Sequence, residues 1–286
     1  MIRLFTDSAA NLPQNLIEKL GVTVIPFTCV AGERKLSGFT KDFGAKEYYA
    51  LLKSGVVAKT SMINPYVFTE NFENALKNGY DVLYVGMSSG ISGTFAAARS
   101  AAEELKSKYP DRAIEVVDTR AASLGEGMLV IQAAEYISKG ESCKIVAALV
   151  RESASTMNQI FTVDDLKYLR KSGRVCTLAA IIGGILDIRP VLIGNAEGKI
   201  VVKTKTRGAK KAIKALADEY ELKVKDKTLP VGIAHADNEA GVNSLIAALK
   251  ERGFTGELTV AEYEPITGAH VGPGTVALFF FGQKRA

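Results

Sequence analysis

A loop rich in small hydroxylated residues is the part of the sequence best suited to hold an anion. Ser88-Ser89-Gly90-Ile91-Ser92-Gly93-Thr94 follows the apolar segment 81–86, which has the composition of a buried strand, and precedes the alanine-rich segment 95–109. Hydroxyl groups and the first amides of a helix that starts here would meet at one spot, where an anionic head group can bind. The loop lacks the lysine of a Walker loop, and simple helix capping explains its composition equally well.

Three further segments combine polar side chains with predicted loop positions. They are Thr6-Asp7-Ser8, Lys59-Thr60-Ser61 and Gly268-Ala269-His270-Val271-Gly272-Pro273-Gly274. In the last of these, glycines and a proline restrict the backbone and leave the His270 imidazole in a rigid loop, although a simple turn before the last strand is the alternative. Asp7 and Asp118 could bind a metal or act as a base. Single carboxylates followed by Ser or Thr are more typical of capping and turn formation, which we favour.

The first half of the chain alternates short apolar segments with amphipathic ones. Strands are predicted at 2–5, 23–30, 81–85 and 114–117, and helices at 11–20, 95–109 and 123–139. This alternation predicts a parallel sheet covered by helices on both faces. Asn11 and Asn64, each followed closely by a proline, are predicted to cap helices, which places Thr60 and Ser61 in a loop. Ligands of such sheets bind beyond the carboxyl ends of the strands, where the polar segments fall.

The second half of the chain has a different pattern, with strands in succession as well as in alternation with helices. Strands are predicted at 160–163, 190–193, 199–205, 231–234, 258–262 and 276–281, and helices at 145–155, 164–171, 178–186, 208–220 and 239–252. This order favours a mixed sheet with helices on one face. We therefore predict two α/β domains, at residues 1–155 and 156–286.

The composition excludes several classes of protein. The 286 residues are 47% apolar, which is ample for a globular core, and no run of about 18 apolar residues occurs. Cys29, Cys143 and Cys176 form no Cys-x-x-Cys pair, so we expect no metal site. A net charge of +5 without a basic recognition helix or an aromatic platform argues against a nucleic-acid binder. The absence of a signal-like start leads us to expect a cytoplasmic protein without stable membrane insertion.

Five motifs in this order carry a resemblance to a known family. They are Thr6-Asp7-Ser8, Lys59-Thr60-Ser61, Ser89-Gly90-Ile91-Ser92-Gly93-Thr94, Leu166-Lys167-Tyr168-Leu169-Arg170-Lys171-Ser172-Gly173-Arg174 and Gly268-Ala269-His270-Val271-Gly272-Pro273-Gly274. The chain resembles the DegV family, fatty-acid-binding proteins that include the binding subunit of bacterial fatty acid kinase. The resemblance implies an N-terminal Rossmann-like three-layer α/β/α domain with a parallel sheet and a C-terminal two-layer α/β domain with a mixed sheet, with a fatty-acid tunnel between them.

The resemblance also implies which residues hold the carboxylate of the fatty acid. Ser61 and Ser92 would contact it, with Thr60 and His270 close by. A carboxylate only accepts hydrogen bonds, so hydroxyls, an imidazole and backbone amides can satisfy it without a buried lysine.

The tail of the fatty acid is expected to lie along the segment 178–186, which is apolar on every face. Ile181, Ile182 and Ile185 would line the tail pocket, and the glycines of this segment would let a slender chain approach the backbone. A core helix between the two domains is the alternative, because such helices are also apolar all round.

A basic segment follows at 203–211, and such segments are usually solvated faces. The resemblance implies a docking face for the kinase subunit instead, with Arg207, Lys210 and Lys211 steering an acidic partner.

Two functions from different classes follow from these residues. The first is a non-catalytic carrier without a cofactor, which binds a long-chain fatty acid such as palmitate and presents its carboxylate to a separate ATP-dependent fatty acid kinase subunit for acyl phosphate formation. The second is an enzyme of the dihydroxyacetone kinase type, in which His270 acts as a covalent or acid-base residue on a small polar ketone. The apolar segment 178–186 favours the carrier.

Overall fold

The computed structural model describes residues 1–176 and 187–285, which contain fourteen strands and ten α-helices. The strands are β1 (Ile2–Asp7), β2 (Thr23–Ile25), β3 (Thr28–Ala31), β4 (Arg34–Leu36), β5 (Ala58–Ser61), β6 (Asp81–Gly86), β7 (Ile114–Asp118), β8 (Met157–Thr162), β9 (Val175–Cys176), β10 (Ile188–Gly194), β11 (Ile200–Arg207), β12 (Val231–His235), β13 (Leu258–Glu262) and β14 (Val276–Phe281). The helices are α1 (Gln14–Leu20), α2 (Ala45–Lys53), α3 (Pro65–Lys77), α4 (Thr94–Lys108), α5 (Leu124–Ser138), α6 (Cys143–Ala154), α7 (Leu166–Ser172), α8 (Ala209–Lys223), α9 (Glu239–Glu251) and α10 (Pro265–Val271).

The first sheet has four parallel strands in the order β2-β1-β6-β7. Helices α3 and α4 pack together on one face, and α5 and α6 pack together on the other. Strand β6 is buried along nearly its whole length, as a strand covered on both faces must be. The predicted three-layer α/β/α unit is confirmed.

The second sheet is mixed and has the order β13-β12-β14-β8-β10-β11-β9. Strand β12 is parallel to β13 and antiparallel to β14, which is in turn antiparallel to β8. Helices α8 and α9 pack against this sheet, so the predicted mixed sheet with a helical layer is confirmed. Strand β8 begins at Met157 and is the first strand of this sheet along the chain, whereas the division at residue 155 itself stays a prediction.

Helix α5 lies between the two sheets. It packs against β1 and β6 of the first sheet and against β8, β12 and β14 of the second. Its side chains are accordingly apolar on most of its circumference, and Leu124, Leu129, Val130 and Ala133 are fully buried. The apolar contacts of this one helix join the two halves of the chain.

A small antiparallel sheet of order β4-β3-β5 corrects two predictions. The segment 23–30 is not one strand: it divides into β2 and β3, which belong to different sheets. Pro26 lies between them and has no N–H to donate to a ladder, so the chain turns out of the first sheet at this point. Thr60 and Ser61 lie in β5 rather than in a loop, paired with Cys29 and Thr28 of β3.

The two asparagines predicted to cap helices behave differently. Asn64 caps α3 as predicted, because its Oδ1 accepts from the Tyr66 N–H at 2.9 Å and Pro65 occupies the first helical position. Asn11 does not cap α1. Its Nδ2 donates to the Glu262 carbonyl oxygen at 3.1 Å and its Oδ1 accepts from the Glu264 N–H at 2.8 Å, contacts that tie the start of the chain to a distant segment.

The two aspartates hold turns, as predicted. The buried Asp7 accepts through Oδ1 from the Ala9 N–H at 3.0 Å and through Oδ2 from the Tyr84 hydroxyl at 2.6 Å. Asp118 accepts from the backbone N–H groups of Ser89 and Arg120 at 3.1 and 2.9 Å.

Among residues 1–176 and 187–285, no group of three or more histidine, cysteine, aspartate and glutamate side chains could hold a metal ion. In the same ranges, none of the helices combines the length and apolar character that crossing a bilayer requires.

The hydrogen bonds between Asn11 and the backbone of Glu262 and Glu264 can be tested by substitution. Asn11 is 7% exposed and has a φ of 56°, which a β-carbon makes costly. We expect Asn11→Gly to lower the free energy of unfolding by about 1–3 kcal/mol through the two lost hydrogen bonds. Asn11→Ala should lose more, because alanine adds the strain of the left-handed conformation. Urea unfolding of both variants measures the contribution of the two hydrogen bonds and the added backbone strain. An unfolding free energy for Asn11→Gly equal to that of the wild type would show that the hydrogen bonds contribute nothing.

Candidate functional site

A cavity of about 330 Å³ lies at the carboxyl end of the first sheet, where β5, β11 and α10 approach it. The four residues predicted to bind a head group, Thr60, Ser61, Ser92 and His270, all line it. Most of the remaining wall is apolar and is formed by Phe27, Met62, Met87, Ile91, Ala122, Ile200, Ile266 and Val271. The cavity therefore combines a cluster of hydrogen-bonding groups with an apolar surface.

Thr60 and His270 form a hydrogen bond across this cavity, with 2.9 Å between Oγ1 and Nε2. Strand β5 carries the threonine and α10 carries the histidine, 210 positions later in the chain. His270 lies in a helix rather than in the predicted rigid loop. The helix forms because Pro265 occupies its first position and the Glu264 carboxylate caps it, accepting from the N–H groups of Ile266 and Thr267.

The environment of His270 keeps its imidazole neutral. Burial, together with the nearby positive charge of Arg174, lowers the pKa of His270 to about 4. At neutral pH one ring nitrogen therefore donates a hydrogen bond and the other accepts one. A neutral imidazole beside a hydroxyl can orient an anion without forming a fixed ion pair.

Ser92 belongs to a loop in which capping and ligand binding are compatible. Its Oγ donates to Thr94 Oγ1 at 3.0 Å and accepts from the Thr94 N–H at 3.2 Å, at the start of α4. The loop is anchored at Ser88, whose Oγ donates to the Gly198 carbonyl oxygen at 2.8 Å. A β-carbon on Gly198 would lie 2.1 Å from that Oγ, so only glycine allows this approach.

Two further polar residues line the cavity and were not predicted from the sequence. Thr267 is buried, and its Oγ1 has no hydrogen-bond partner among the described residues. Arg174 is exposed, and its guanidinium donates to the Ser172 carbonyl oxygen. Thr267 precedes His270 by three positions, which puts both on one side of a helix; that spacing is a usable signal only once the segment is known to be helical.

A second cavity, of about 560 Å³, lies against the other side of the Thr60–His270 pair. It shares Thr60, Arg174 and His270 with the first cavity and is lined in addition by three exposed lysines, Lys59, Lys167 and Lys171. A carboxylate held at the Thr60–His270 pair would therefore lie next to a positively charged opening. An incoming anionic group or an acidic protein surface would be attracted to this side.

The residues predicted to dock a partner lie elsewhere. Arg207 ends β11, and Lys210 and Lys211 lie in the first turn of α8, all three exposed. None of them lines the first cavity, which holds the predicted head-group residues and is called the head-group cavity below. Lys210 faces a different cavity, between α8 and α9. Ile181, Ile182 and Ile185, predicted to line the tail pocket, lie outside the described residues.

Comparison with known proteins decides the family. The family model described as "Uncharacterised protein, DegV family" matches residues 1–283. A DegV domain-containing protein from Clostridium perfringens is 34% identical over 284 residues, which cover 99% of this chain and 98% of the relative. The chain belongs to the DegV family. The resemblance found in the five sequence motifs is confirmed.

Solved structures of DegV proteins share the fold over its full length. A fatty-acid-binding DegV family protein from Thermus thermophilus superposes with a TM-score of 0.89 at 29% identity, covering 99% of both chains. DegV from Bacillus subtilis, described as a fatty acid binding protein, superposes with a TM-score of 0.82 at 26% identity, again with 99% of both chains covered. The two-domain α/β architecture is therefore that of fatty-acid-binding DegV proteins.

The cap of α10 makes the stability of the protein depend on pH. Burial raises the pKa of the Glu264 carboxyl from 4.5 to about 7, although the N–H groups of Thr267 and Ile266 oppose the shift. Between these two pH values the folded protein holds a proton that the unfolded chain releases, so this group lowers stability as the pH rises. Glu264→Gln keeps one of the two acceptor oxygens of the cap and cannot ionise, so we expect its stability relative to the wild type to rise by about 1–2 kcal/mol between pH 4.5 and pH 8.

Urea unfolding at a series of pH values measures this difference. Asp7 and Glu126 also have raised pKa values because they are buried, and they are present in both proteins; their charges interact with that of Glu264, so the comparison measures Glu264 together with this coupling. The exposed Glu251→Gln serves as the matched control and should not change the pH dependence. A difference between Glu264→Gln and wild type that stays constant with pH would contradict the assignment.

Proposed function

We propose that this protein binds one long-chain fatty acid, with the carboxylate at Thr60, Ser61, Ser92 and His270 and the tail along the apolar wall of the same cavity. One observation carries the proposal: residues from β5, the loop before α4 and α10 meet at the polar end of a cavity whose remaining wall is mostly apolar. The fatty acids bound by solved DegV relatives support the same ligand class.

The chemistry of the donors suits a carboxylate. Three hydroxyls and a neutral imidazole can donate to its two oxygens, and Thr267 adds a buried hydroxyl that lacks a partner among the described residues. Donors without charge hold the anion more weakly than an arginine fork would. A carboxylate bound in this way keeps more of its nucleophilic character for a later reaction.

The tail supplies most of the affinity in this proposal. Burial of about 14 methylenes at roughly 0.8 kcal/mol each gives about 11 kcal/mol, before the costs of association and chain ordering are subtracted. The side chains of Phe27, Met87 and Ile266 offer apolar contacts near the head group. Ile181, Ile182 and Ile185 are proposed to extend this surface along the tail.

A carrier that presents the carboxylate of a bound fatty acid to a kinase must leave that head group accessible. The second cavity, with Lys59, Lys167 and Lys171, lies against the Thr60–His270 pair and is a positively charged approach to it. We propose that the protein is a non-catalytic, cytoplasmic subunit whose partner is an ATP-dependent fatty acid kinase subunit, with Arg207, Lys210 and Lys211 at the docking face. No Walker loop or kinase glycine-rich loop occurs in the sequence.

Mass spectrometry of the protein purified from a bacterial host tests the ligand. We expect a one-to-one adduct in the native spectrum that becomes a free acid of about 14 to 18 carbons on denaturation, because a buried acyl chain dissociates slowly. Ser61→Ala/Ser92→Ala should retain at least tenfold less fatty acid, since two hydroxyl donors to the carboxylate are lost. The protein should keep its circular dichroism spectrum.

Ser138→Ala/Ser244→Ala is a matched control of identical mass. Both serines are exposed, and each hydroxyl donates to a carbonyl of its own helix. This control should carry as much fatty acid as the wild type. Full occupancy of Ser61→Ala/Ser92→Ala would overturn the head-group assignment. A wild-type protein that stays empty with oleate but binds dihydroxyacetone would establish the small-ketone enzyme instead.

Arg207→Ala tests the docking face separately from lipid binding. The side chain is exposed at the end of β11 and does not line the head-group cavity, so fatty acid content should not change. With a fatty acid kinase catalytic subunit and ATP, the rate of acyl phosphate formation, trapped as the hydroxamate, should fall at least fivefold because steering of the acidic partner is lost. Arg99→Ala, an exposed arginine on α4, is the control. Equal rates for Arg207→Ala and wild type would place the docking face elsewhere.

A further inference from the structure

A third cavity, of about 390 Å³, lies at the carboxyl end of β7, apart from the fatty-acid site. It is bounded by the start of α4, the end of α6, the turn between β10 and β11, and residues 284 and 285. It shares no lining residue with either cavity at the Thr60–His270 pair. The residues that characterise it are Phe95, Val116, Arg120, Arg151, Lys284 and Arg285.

Positive charge dominates this cavity. Among the described residues that line it, four side chains are cationic and one, that of Asp118, is a carboxylate. That carboxylate is already engaged, since it accepts from Ser89 Oγ at 2.6 Å and from the Arg120 N–H at 2.9 Å. Arg151 donates to the Glu115 carboxylate at 2.7 Å, but within residues 1–176 and 187–285 no ion pair joins a carboxylate to Arg120, Lys284 or Arg285.

Arg285 is a buried cation whose hydrogen bonds go to uncharged groups. The residue is 8% exposed, and its guanidinium donates to the carbonyl oxygens of Ala154 at 2.8 Å, Thr119 at 3.3 Å and Arg120. Its Nε is buried without a partner among the described residues. Burial and the positive charge of Arg120 lower the pKa of Arg285 to about 10. A buried guanidinium normally has an anionic counter-charge; Asp118 supplies part of it here, and a bound anion would add to it.

Arg120 is held in place at considerable conformational cost. Its φ is 50°, a conformation unusual for a residue with a β-carbon. The Asp118 carboxylate fixes its backbone N–H, and its guanidinium donates to the Ala196 carbonyl oxygen at 2.9 Å. Strained residues held by several surrounding contacts occur preferentially at functional sites, where they position a charge in advance.

We propose that this cavity binds a small phosphomonoester, with the phosphate among Arg120, Arg151 and Lys284 and the organic group against Phe95 and Val116. Several cations around one point suit a phosphate dianion better than a monoanion, and arginine is well shaped to bind its oxygens in pairs. The volume is that of a small-molecule site rather than a groove for a polymer. This ligand is separate from the proposed fatty acid.

Titration calorimetry with phenyl phosphate and with inorganic phosphate tests the site, at constant ionic strength maintained with chloride. We expect one saturable site per chain, with phenyl phosphate bound at least fivefold more tightly because its ring adds apolar contact. Arg151→Gln/Lys284→Gln should weaken binding at least tenfold. Arg99→Gln/Lys106→Gln changes the net charge equally on an exposed face of α4 and should stay within twofold of the wild type.

Thermal unfolding of each variant checks that it is folded. If Arg151→Gln/Lys284→Gln is unfolded, Lys284→Gln alone, which changes an exposed side chain, replaces it in the binding measurement. Ser61→Ala/Ser92→Ala should bind phenyl phosphate like the wild type, which separates this site from the fatty-acid cavity. No saturable binding, or an equal loss in the Arg99→Gln/Lys106→Gln control, would overturn the proposal. Loss of phenyl phosphate binding in Ser61→Ala/Ser92→Ala would also overturn it, by placing the anion at the head-group site.

Discussion

The burial of α5 between the two sheets is the constraint on which the rest of the structure depends. The helix presents apolar side chains to β1 and β6 on one side and to β8, β12 and β14 on the other. Because an apolar surface of this extent must be covered on both sides, it fixes how the second sheet lies against the carboxyl end of the first. The head-group cavity opens at that end, where the turns after the parallel strands meet α10.

Uncharged hydroxyls and an imidazole predominate at the polar end of the cavity, with Arg174 as a charged side chain in its lining. Burial lowers the pKa of His270 and raises that of Glu264, so both side chains are shifted toward their uncharged forms. The same low-polarity surroundings strengthen each hydrogen bond to a bound carboxylate. Exposed positive charge lies just beyond, on Lys59, Lys167 and Lys171, where it would attract an anionic group or an acidic surface.

The two anion sites proposed here use opposite chemistry. Hydroxyls, an imidazole and one guanidinium, that of Arg174, line the proposed head-group position, whereas four guanidinium and ammonium groups line the cavity at the end of β7. Both lie at carboxyl ends of parallel strands, the usual position for ligands in such sheets. The Ser88–Thr94 loop is close to both, since Ser92 lines one cavity and Ser89 binds the Asp118 carboxylate that borders the other.

Local patterns in the sequence determined the alternation of strands and helices and the Asn64 cap, because periodicity and capping depend on neighbouring residues. The head-group residues follow from the family resemblance and stay a prediction. Tertiary structure decided which sheets the strands on either side of Pro26 join and the role of Asn11, and it stabilises the helix of His270 that Pro265 and Glu264 begin locally. A seven-residue helix is too short to be stable by its own propensity, and α10 persists through its cap and its packing against distant elements. The burial of Thr267 Oγ1, which has no hydrogen-bond partner among the described residues, and the contacts of Arg285 likewise depend on residues far apart in sequence. No local pattern reveals them.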